Sequence, residues 1–218
     1  MSMILHAEAG LIVHCLPLGE LMTNCYVLPD DGECWVVDPG LSPQPLVEYL
    51  RRQALTPRRV LLTHGHADHI AGVSAVKAAW PEAVVTAPSA EADFLTDPVR
   101  NLSLPFGMVR ITAPAPDELI SPGDELMLGE LAWRALDTAG HTPGGLSYYC
   151  PAAKVAITGD ALFAGSVGRT DIPGASEAQL LANIREHLLT LPDETRILPG
   201  HGPPSTIGDE RRTNPYLR

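Results

Sequence analysis

The sequence predicts an α/β fold: an αβ/βα four-layer sandwich of two mixed β-sheets flanked by helices. Two observations predict it. In each half of the chain, short apolar runs of strand character lead into helical patterns, which suits sheets covered by helices. In each half, too, the side chains best able to hold a metal stand in the loops that leave those strands, where a rigid scaffold positions them. The 218 residues suit one domain spanning 1–218, long enough for a sizeable core.

In the first half, Leu11 to Leu16, Cys25 to Leu28 and Cys34 to Asp38 read as strands. The Pro29-Asp30-Asp31-Gly32 turn makes a hairpin of the second and third, and Asp38-Pro39-Gly40 breaks the third. Pro45 to Leu55 reads as a helix, with Leu46, Val47, Leu50 and Ala54 on one stripe and Glu48, Arg51 and Arg52 outside it. Arg59 to Leu62 reads as a buried strand, and Ile70 to Trp80 as a helix of small residues closed by Pro81. Ala83 to Ala87 is a further strand, and Ser89 has the chemistry of an N-cap for a short helix to Leu95. Residues 96–122, punctuated by Pro98, Pro105, Pro114, Pro116 and Pro122, read as a surface connection with one short strand. That connection is either a plain linker or a cover for the site.

The second half repeats the alternation without repeating the residues. Glu125 to Leu128 and Leu131 to Asp137 form a hairpin around Gly129-Glu130, and Leu146 to Cys150 and Val155 to Thr158 form the next pair. Ser176-Glu177-Ala178-Gln179 has capping-box spacing before a helix with Leu180, Leu181, Ile184 and Leu188 inward, which Pro192 closes. Arg196 to Leu198 is the last strand.

The candidate chemistry is densest at Thr63-His64-Gly65-His66-Ala67-Asp68-His69, between a strand and a helix. His64 and His66 alternate by two, and Asp68 and His69 begin the helix, so the four do not share one helix face. The spacing suits a loop wrapped around a metal. Three later loops each place one more ligand type beside glycine after a strand: Gly140-His141, Gly159-Asp160 and Gly200-His201. Taken singly, each could be turn or capping chemistry. Together they make seven candidate ligands, enough for two metals sharing one carboxylate. Imidazole with carboxylate favours zinc, iron or manganese over calcium or magnesium.

Composition excludes several function classes. The net charge of −11, with Lys and Arg in nothing longer than short pairs, argues against a nucleic-acid partner. No run approaches the roughly 18 apolar residues of a membrane span, and the start of the chain has no charged region leading into a long apolar one. Cys15, Cys25, Cys34 and Cys150 lack C-x-x-C spacing and lie in apolar strand-like runs. They are expected as buried thiols of a reducing compartment, which places the protein in the cytoplasm.

The H-x-H-x-D-H motif at 64–69, followed by His141, Asp160 and His201 in that order, resembles the metallo-β-lactamase superfamily, and specifically its glyoxalase II-like branch. The resemblance covers the chain from Asn24 to the Asn214-Pro215-Tyr216-Leu217 segment. It implies the fold of that name, with His64, His66 and His141 on one divalent ion, Asp68, His69 and His201 on a second, and Asp160 bridging them. Zinc is the expected metal, with iron or manganese as alternatives. The catalytic carboxylates would be Asp68 and Asp160. For Asp38 the resemblance favours a carboxylate behind the metal loop, beside the plain turn role. Gly168-Arg169-Thr170-Asp171 is similar to a segment of glyoxalase II-like hydrolases and persulfide dioxygenases. Arg169 could bind a substrate carboxylate or could pair with Asp171 to hold the loop.

The activity implied is hydrolysis of a small-molecule thioester carried on glutathione, coenzyme A or an acyl carrier. Two departures from the family's glutathione thioester hydrolases stand out. The chain has no added helical region before Arg218, and Gly202-Pro203-Pro204 follows His201 without a tyrosine. Both weigh against S-D-lactoylglutathione as main substrate. The alternatives are a persulfide dioxygenase, with one iron on His64, His141 and Asp160, and a lactonase or β-lactamase. Oligomeric state is open.

Overall fold

The structure, a computed structural model, describes residues 3–218. The described residues divide into two compact units, one formed by 3–6 with 11–119 and the other by 7–10 with 120–218. Each contributes a mixed sheet with helices against it, so the α/β class with two mixed sheets and flanking helices is as expected.

The first unit begins with β1 (Met3–His6), β2 (Ile12–Leu18), β3 (Thr23–Asp30) and β4 (Glu33–Val37), joined in antiparallel pairs. Next come α1 (Gln44–Arg52), β5 (Thr56–Leu61), α2 (Ala67–Ile70), α3 (Val73–Ala79), β6 (Val84–Pro88) and β7 (Glu118–Ile120). β4, β5 and β6 run parallel, so the seven strands form one sheet in sequence order. A parallel pair needs a crossover, and α1 and α3 supply the two. Leu46, Tyr49 and Leu50 of α1 and Val73 and Val76 of α3 are buried with Val27, Val36, Val60 and Val85 in one apolar cluster.

Two helices end differently from the sequence expectation. α1 stops at Arg52 rather than Leu55, because Ala54 turns left-handed (φ 53°) and the N–H groups of Ala54 and Leu55 donate to the carbonyls of Arg51 and Leu50. That is a Schellman closure, which satisfies carbonyls the helix leaves open. The expected helix from Ile70 to Trp80 is two, α2 and α3. They part at Gly72, whose N–H donates to Pro39 O at 2.7 Å and whose Cα lies too near that carbonyl for any side chain. Ser89 is not an N-cap: Pro88 takes that position with no side-chain bond, and Ser89–Leu95 is a kinked 3-10 turn.

Residues 96–122 are more than a linker. Asn101, Leu102 and Ser103 are buried, and Asn101 O accepts from Ala67 N at 2.9 Å, so this segment supports the metal loop.

In the second unit β8 (Glu125–Leu128), β9 (Leu131–Asp137), β10 (Leu146–Cys150) and β11 (Val155–Gly159) are antiparallel neighbours, as the sequence indicates. β12 (Leu162–Phe163) and β13 (Ser166–Val167) make a small separate hairpin. α4 (Glu177–Asn183) is capped by Ser176, whose hydroxyl accepts from Gln179 N, and it continues through a wide i→i+5 turn to Leu188. β14 (Arg196–Pro199) lies parallel to β11, β15 (Ser205–Thr206) pairs with β14, and α5 (Ile207–Thr213) follows. Leu162, Leu180, Ile184, Leu188, Ile197 and Ile207 form this unit's apolar cluster. β1, the β12–β13 hairpin and α5 are too short or too polar for periodicity to reveal.

No helix among the described residues is long and apolar enough to cross a membrane. All four cysteines are buried as thiols. Burial pushes the Cys15 and Cys34 thiols up to about 12 and raises those of Cys25 and Cys150 as well. The thiolate is the reactive form. At pH 8 the native protein should therefore react with a thiol reagent far more slowly than the protein in denaturant, which should titrate four thiols. A rapid one-equivalent reaction in the native state would show the burial to be wrong.

Candidate metal centre

The first unit carries His64, His66, Asp68 and His69. β5 lies between β4 and β6, and beyond its last residue Leu62 N donates to Thr86 O and Asp38 N to Leu61 O, so the loop leaves a fixed strand end. His64, His66 and His69 are all buried, with ring centroids 4.8 Å apart for the first two and 4.1 Å for His64 and His69. His66 stands just before α2, and its carbonyl accepts from the N–H groups of His69 and Ile70.

Asp38 resolves between its two sequence readings in favour of support for the loop. It adopts a left-handed backbone (φ 49°), uncommon for a residue other than glycine, and is buried. Its Oδ1 accepts from Thr63 N at 2.8 Å, and its Oδ2 accepts from Thr63 Oγ1 at 2.6 Å and lies 3.0 Å from His69 Nδ1. A carboxylate can only accept, so His69 carries its proton on Nδ1 and presents the Nε2 lone pair. The Thr63 hydroxyl spends its one hydrogen on Asp38. It must therefore accept from His64 Nδ1, 3.0 Å away, which fixes the same tautomer there. Asp38, His64 and His69 do place possible ligand atoms within 4.8 Å of one another. The Asp38 oxygens are committed to Thr63 and to the Nδ1 side of His69, so this trio is a support for ligands rather than a ligand set. Asp68 is oriented by the Thr23 hydroxyl, which donates to its Oδ2 at 3.0 Å, and that same oxygen lies 3.6 Å from His69 Nε2.

The second unit carries His141, Asp160 and His201. The parallel pairing sets Gly159 of β11 opposite Pro199 of β14, and Gly200 N donates to Gly159 O at 2.7 Å, so Asp160 and His201 leave adjacent strand ends together. His141 arrives after β9. Asn183 of α4 donates to Asp137 Oδ1 and Ala139 O, and Ser176 N donates to Gly140 O at 2.7 Å. Gly140 (φ 136°) packs against the Leu180 backbone where no Cβ would fit. His141 Nδ1 donates to the Arg169 carbonyl at 2.8 Å, so its Nε2 too is the lone-pair nitrogen. Asp160 Oδ2 then lies 3.6 Å from His141 Nε2 and 3.5 Å from His201 Nε2.

Those three distances of 3.5 to 3.6 Å exceed a hydrogen bond. They match donor atoms gathered round an ion: two ligands about 2.05 Å from a tetrahedral centre sit about 3.4 Å apart. The tautomers, the spacing and the mixed imidazole–carboxylate donor set all fit a divalent metal such as zinc or iron. The Arg169 side chain makes a two-pronged bond to Asp171 at 2.8 and 2.9 Å, and the pair is exposed. The guanidinium holds the Asp171 carboxyl below the usual range. The loop-holding role is thus occupied, and the backbone of Arg169 serves His141.

Sequence reasoning missed the polar groups behind both half-sites. Thr63 and Thr23 look like ordinary strand residues. Glu91 accepts from Gly65 N, and Glu210 of α5 accepts from Gly165 N and Asn214 Nδ2, both at 2.8 Å. Glu91 and Glu210 are buried; Glu91 stands out in the sequence only as a charge between two alanines, and Glu210, inside the charged run Asp209-Glu210-Arg211-Arg212, does not stand out at all.

The family model described as the metallo-beta-lactamase superfamily matches residues 18–201. Among curated relatives, the probable metallo-hydrolase YqgX of Bacillus subtilis is 39% identical over 93% of this chain and 95% of its own. The hydroxyacylglutathione hydrolase GloC of Haemophilus influenzae is 35% identical over 94% of this chain and 97% of its own. Among solved structures, BLEG-1 B3 metallo-beta-lactamase superposes with a TM-score of 0.89 at 40% identity, covering 93% of this chain and 98% of that one. TTHA1623 in a di-iron-bound form gives 0.84 at 34% identity, covering 93% and 99%.

Replacing Asp38 with Asn puts an N–H₂ group where His69 or Thr63 needs an acceptor. The variant should stay folded but bind zinc about 10- to 100-fold more weakly, as read by competition with a chromophoric chelator. Unchanged zinc affinity would remove Asp38 from the support of the metal loop.

Proposed function

The chain belongs to the metallo-β-lactamase superfamily as a metallo-hydrolase, and on that premise we propose that it is a dinuclear thioester hydrolase of the glyoxalase II-like type. In this reading His64, His66 and His141 hold one ion, Asp68, His69 and His201 hold the second, and Asp160 is shared. The observation that carries it is Asp160 Oδ2, equidistant within 0.1 Å from the Nε2 atoms of His141 and His201, at 3.6 and 3.5 Å. A carboxylate oxygen so placed suits a ligand common to two ions. Zinc is the first choice of metal, and the di-iron-bound neighbour keeps iron as an alternative.

When bound, the ions lower the pKa of a coordinated water to about 7 and supply a nucleophile at neutral pH. The protein's own part is to hold donors and orient them. Asp38 and the Arg169 carbonyl keep protons on the Nδ1 side of His69 and His141, and Thr23 steers Asp68. A thioester suits such a site because a leaving thiolate, with a reference pKa of about 8.5, needs little protonation. The similarity to GloC supports glutathione thioesters, and because GloC is matched over nearly its full length, chain length does not weigh against them. Both units work as one functional domain in this reading. The partner is a small thioester, with neither nucleic acid nor membrane expected, in a cytoplasmic setting that suits four buried thiols.

Protein purified without added metal should contain close to two ions per chain and hydrolyse a thioester panel. One iron per chain, oxygen uptake on glutathione persulfide and no thioester turnover would instead mark a dioxygenase. His66→Ala and Asp160→Ala should each remove most turnover while far-UV circular dichroism stays native, and wild-type rates in either would sink the dinuclear assignment. Arg169→Ala should raise KM for anionic thioesters more than it lowers kcat, because its guanidinium can exchange Asp171 for a substrate carboxylate. An unchanged KM would leave Arg169 with Asp171 alone.

A further inference from the structure

Glu91 is a fully buried carboxylate in a segment that supplies no metal ligand. Taking a carboxylate out of water is costly unless its oxygens are engaged. Its Oε2 accepts from Gly65 N at 2.6 Å, a short bond of the charge-assisted kind. Gly65 is the residue between His64 and His66. The kink that turns Glu91 inward is its own backbone, which leaves helical geometry at φ −126° and ψ 17°.

The same 3-10 turn grips Gly65 a second time. The Phe94 side chain lies against the Gly65 Cα, so close that a Cβ there would stand 2.9 Å from Phe94 Cγ. One residue beyond His66, Ala67 N donates to Asn101 O, and the Asn101 amide donates to Phe94 O at 3.1 Å. The backbone of the H-x-H segment is therefore clamped on both sides of His66, by Glu91 and Phe94 at Gly65 and by Asn101 at Ala67. Metal–ligand distances tolerate only about 0.2 Å, so a rotation of the Gly65 peptide would misplace both imidazoles at once.

We propose that Glu91 is a positioning residue of the metal centre: acting through the Gly65 N–H, its carboxylate sets the orientation of His64 and His66, and so the affinity for the ion they hold. This rests on the metal assignment above. Two variants separate reach from charge. Glu91→Asp keeps the charge and withdraws the oxygen by one methylene. Glu91→Gln keeps the length and an accepting oxygen and drops the charge.

Zinc affinity by chelator competition is measured on the full chain, with the melting temperature of the metal-free protein recorded alongside. Glu91→Asp should bind zinc about 10- to 100-fold more weakly than wild type, while Glu91→Gln stays within a few-fold. Wild-type affinity in Glu91→Asp, with or without a lowered metal-free melting temperature, overturns the proposal. So do equal losses in both variants, since keeping the reach to Gly65 would then protect nothing, and so does a larger loss in Glu91→Gln than in Glu91→Asp, since charge rather than the bond to Gly65 would then govern. If the wild-type chain itself binds no zinc, the metal assignment falls and takes the role of Glu91 with it, an outcome distinct from wild-type affinity in Glu91→Asp.

Discussion

An imidazole binds a metal only through the nitrogen that has lost its proton, and in this protein the neighbours decide which nitrogen that is. The Asp38 carboxylate faces His69 Nδ1, the Thr63 hydroxyl, committed to Asp38, faces His64 Nδ1, and the Arg169 carbonyl faces His141 Nδ1. All three acceptors lie on the side of the ring away from the ligand atom. Much of the surrounding structure can be understood as holding those acceptors still. Asp38 follows β4 in a left-handed turn, Thr63 lies two residues beyond β5, and Arg169 follows the β12–β13 hairpin.

Strand pairing does the coarse placement. Parallel neighbours end side by side, so β4 with β5 in one sheet and β11 with β14 in the other deliver Asp38 beside Thr63 and Asp160 beside His201. Close backbone approach does the fine placement. Gly168 passes where a Cβ would stand 3.0 Å from His141 Cβ and would overlap the Asp160 carbonyl. That contact ties the loop carrying the Arg169 carbonyl to two ligands in a way a larger residue would forbid.

The candidate ligands were legible in the sequence because metal chemistry needs rare residue types at strand ends, and His64 through His201 supply them in four loops together, although each alone could be turn or capping chemistry. The α/β class was legible for a similar reason: the runs at 25–28, 34–38, 146–150 and 155–158 are apolar enough to admit one reading. The support was not legible. Thr23 and Glu91 reach residues 45 and 26 positions away, and Thr63 links Asp38, 25 positions away, to the adjacent His64; no periodicity encodes such partners. The Gly72 break between α2 and α3 was missed because its cause is tertiary: a bond to Pro39 O outweighs a local preference for continuing the helix. Asp38 could be narrowed to two roles by its type, but only its three contacts with Thr63 and His69 decide between them.

The central claim is that Asp160 is shared by two ions bound through Nε2 atoms of the surrounding imidazoles. Anomalous diffraction at the metal edge from crystals of metal-loaded protein tests it most directly. The account predicts two peaks about 3.5 to 4 Å apart, with the Asp160 carboxylate between them and the Nε2 atoms of His69, His141 and His201 toward them. A single peak, or one approached by the Nδ1 of His69 or His141, would contradict it.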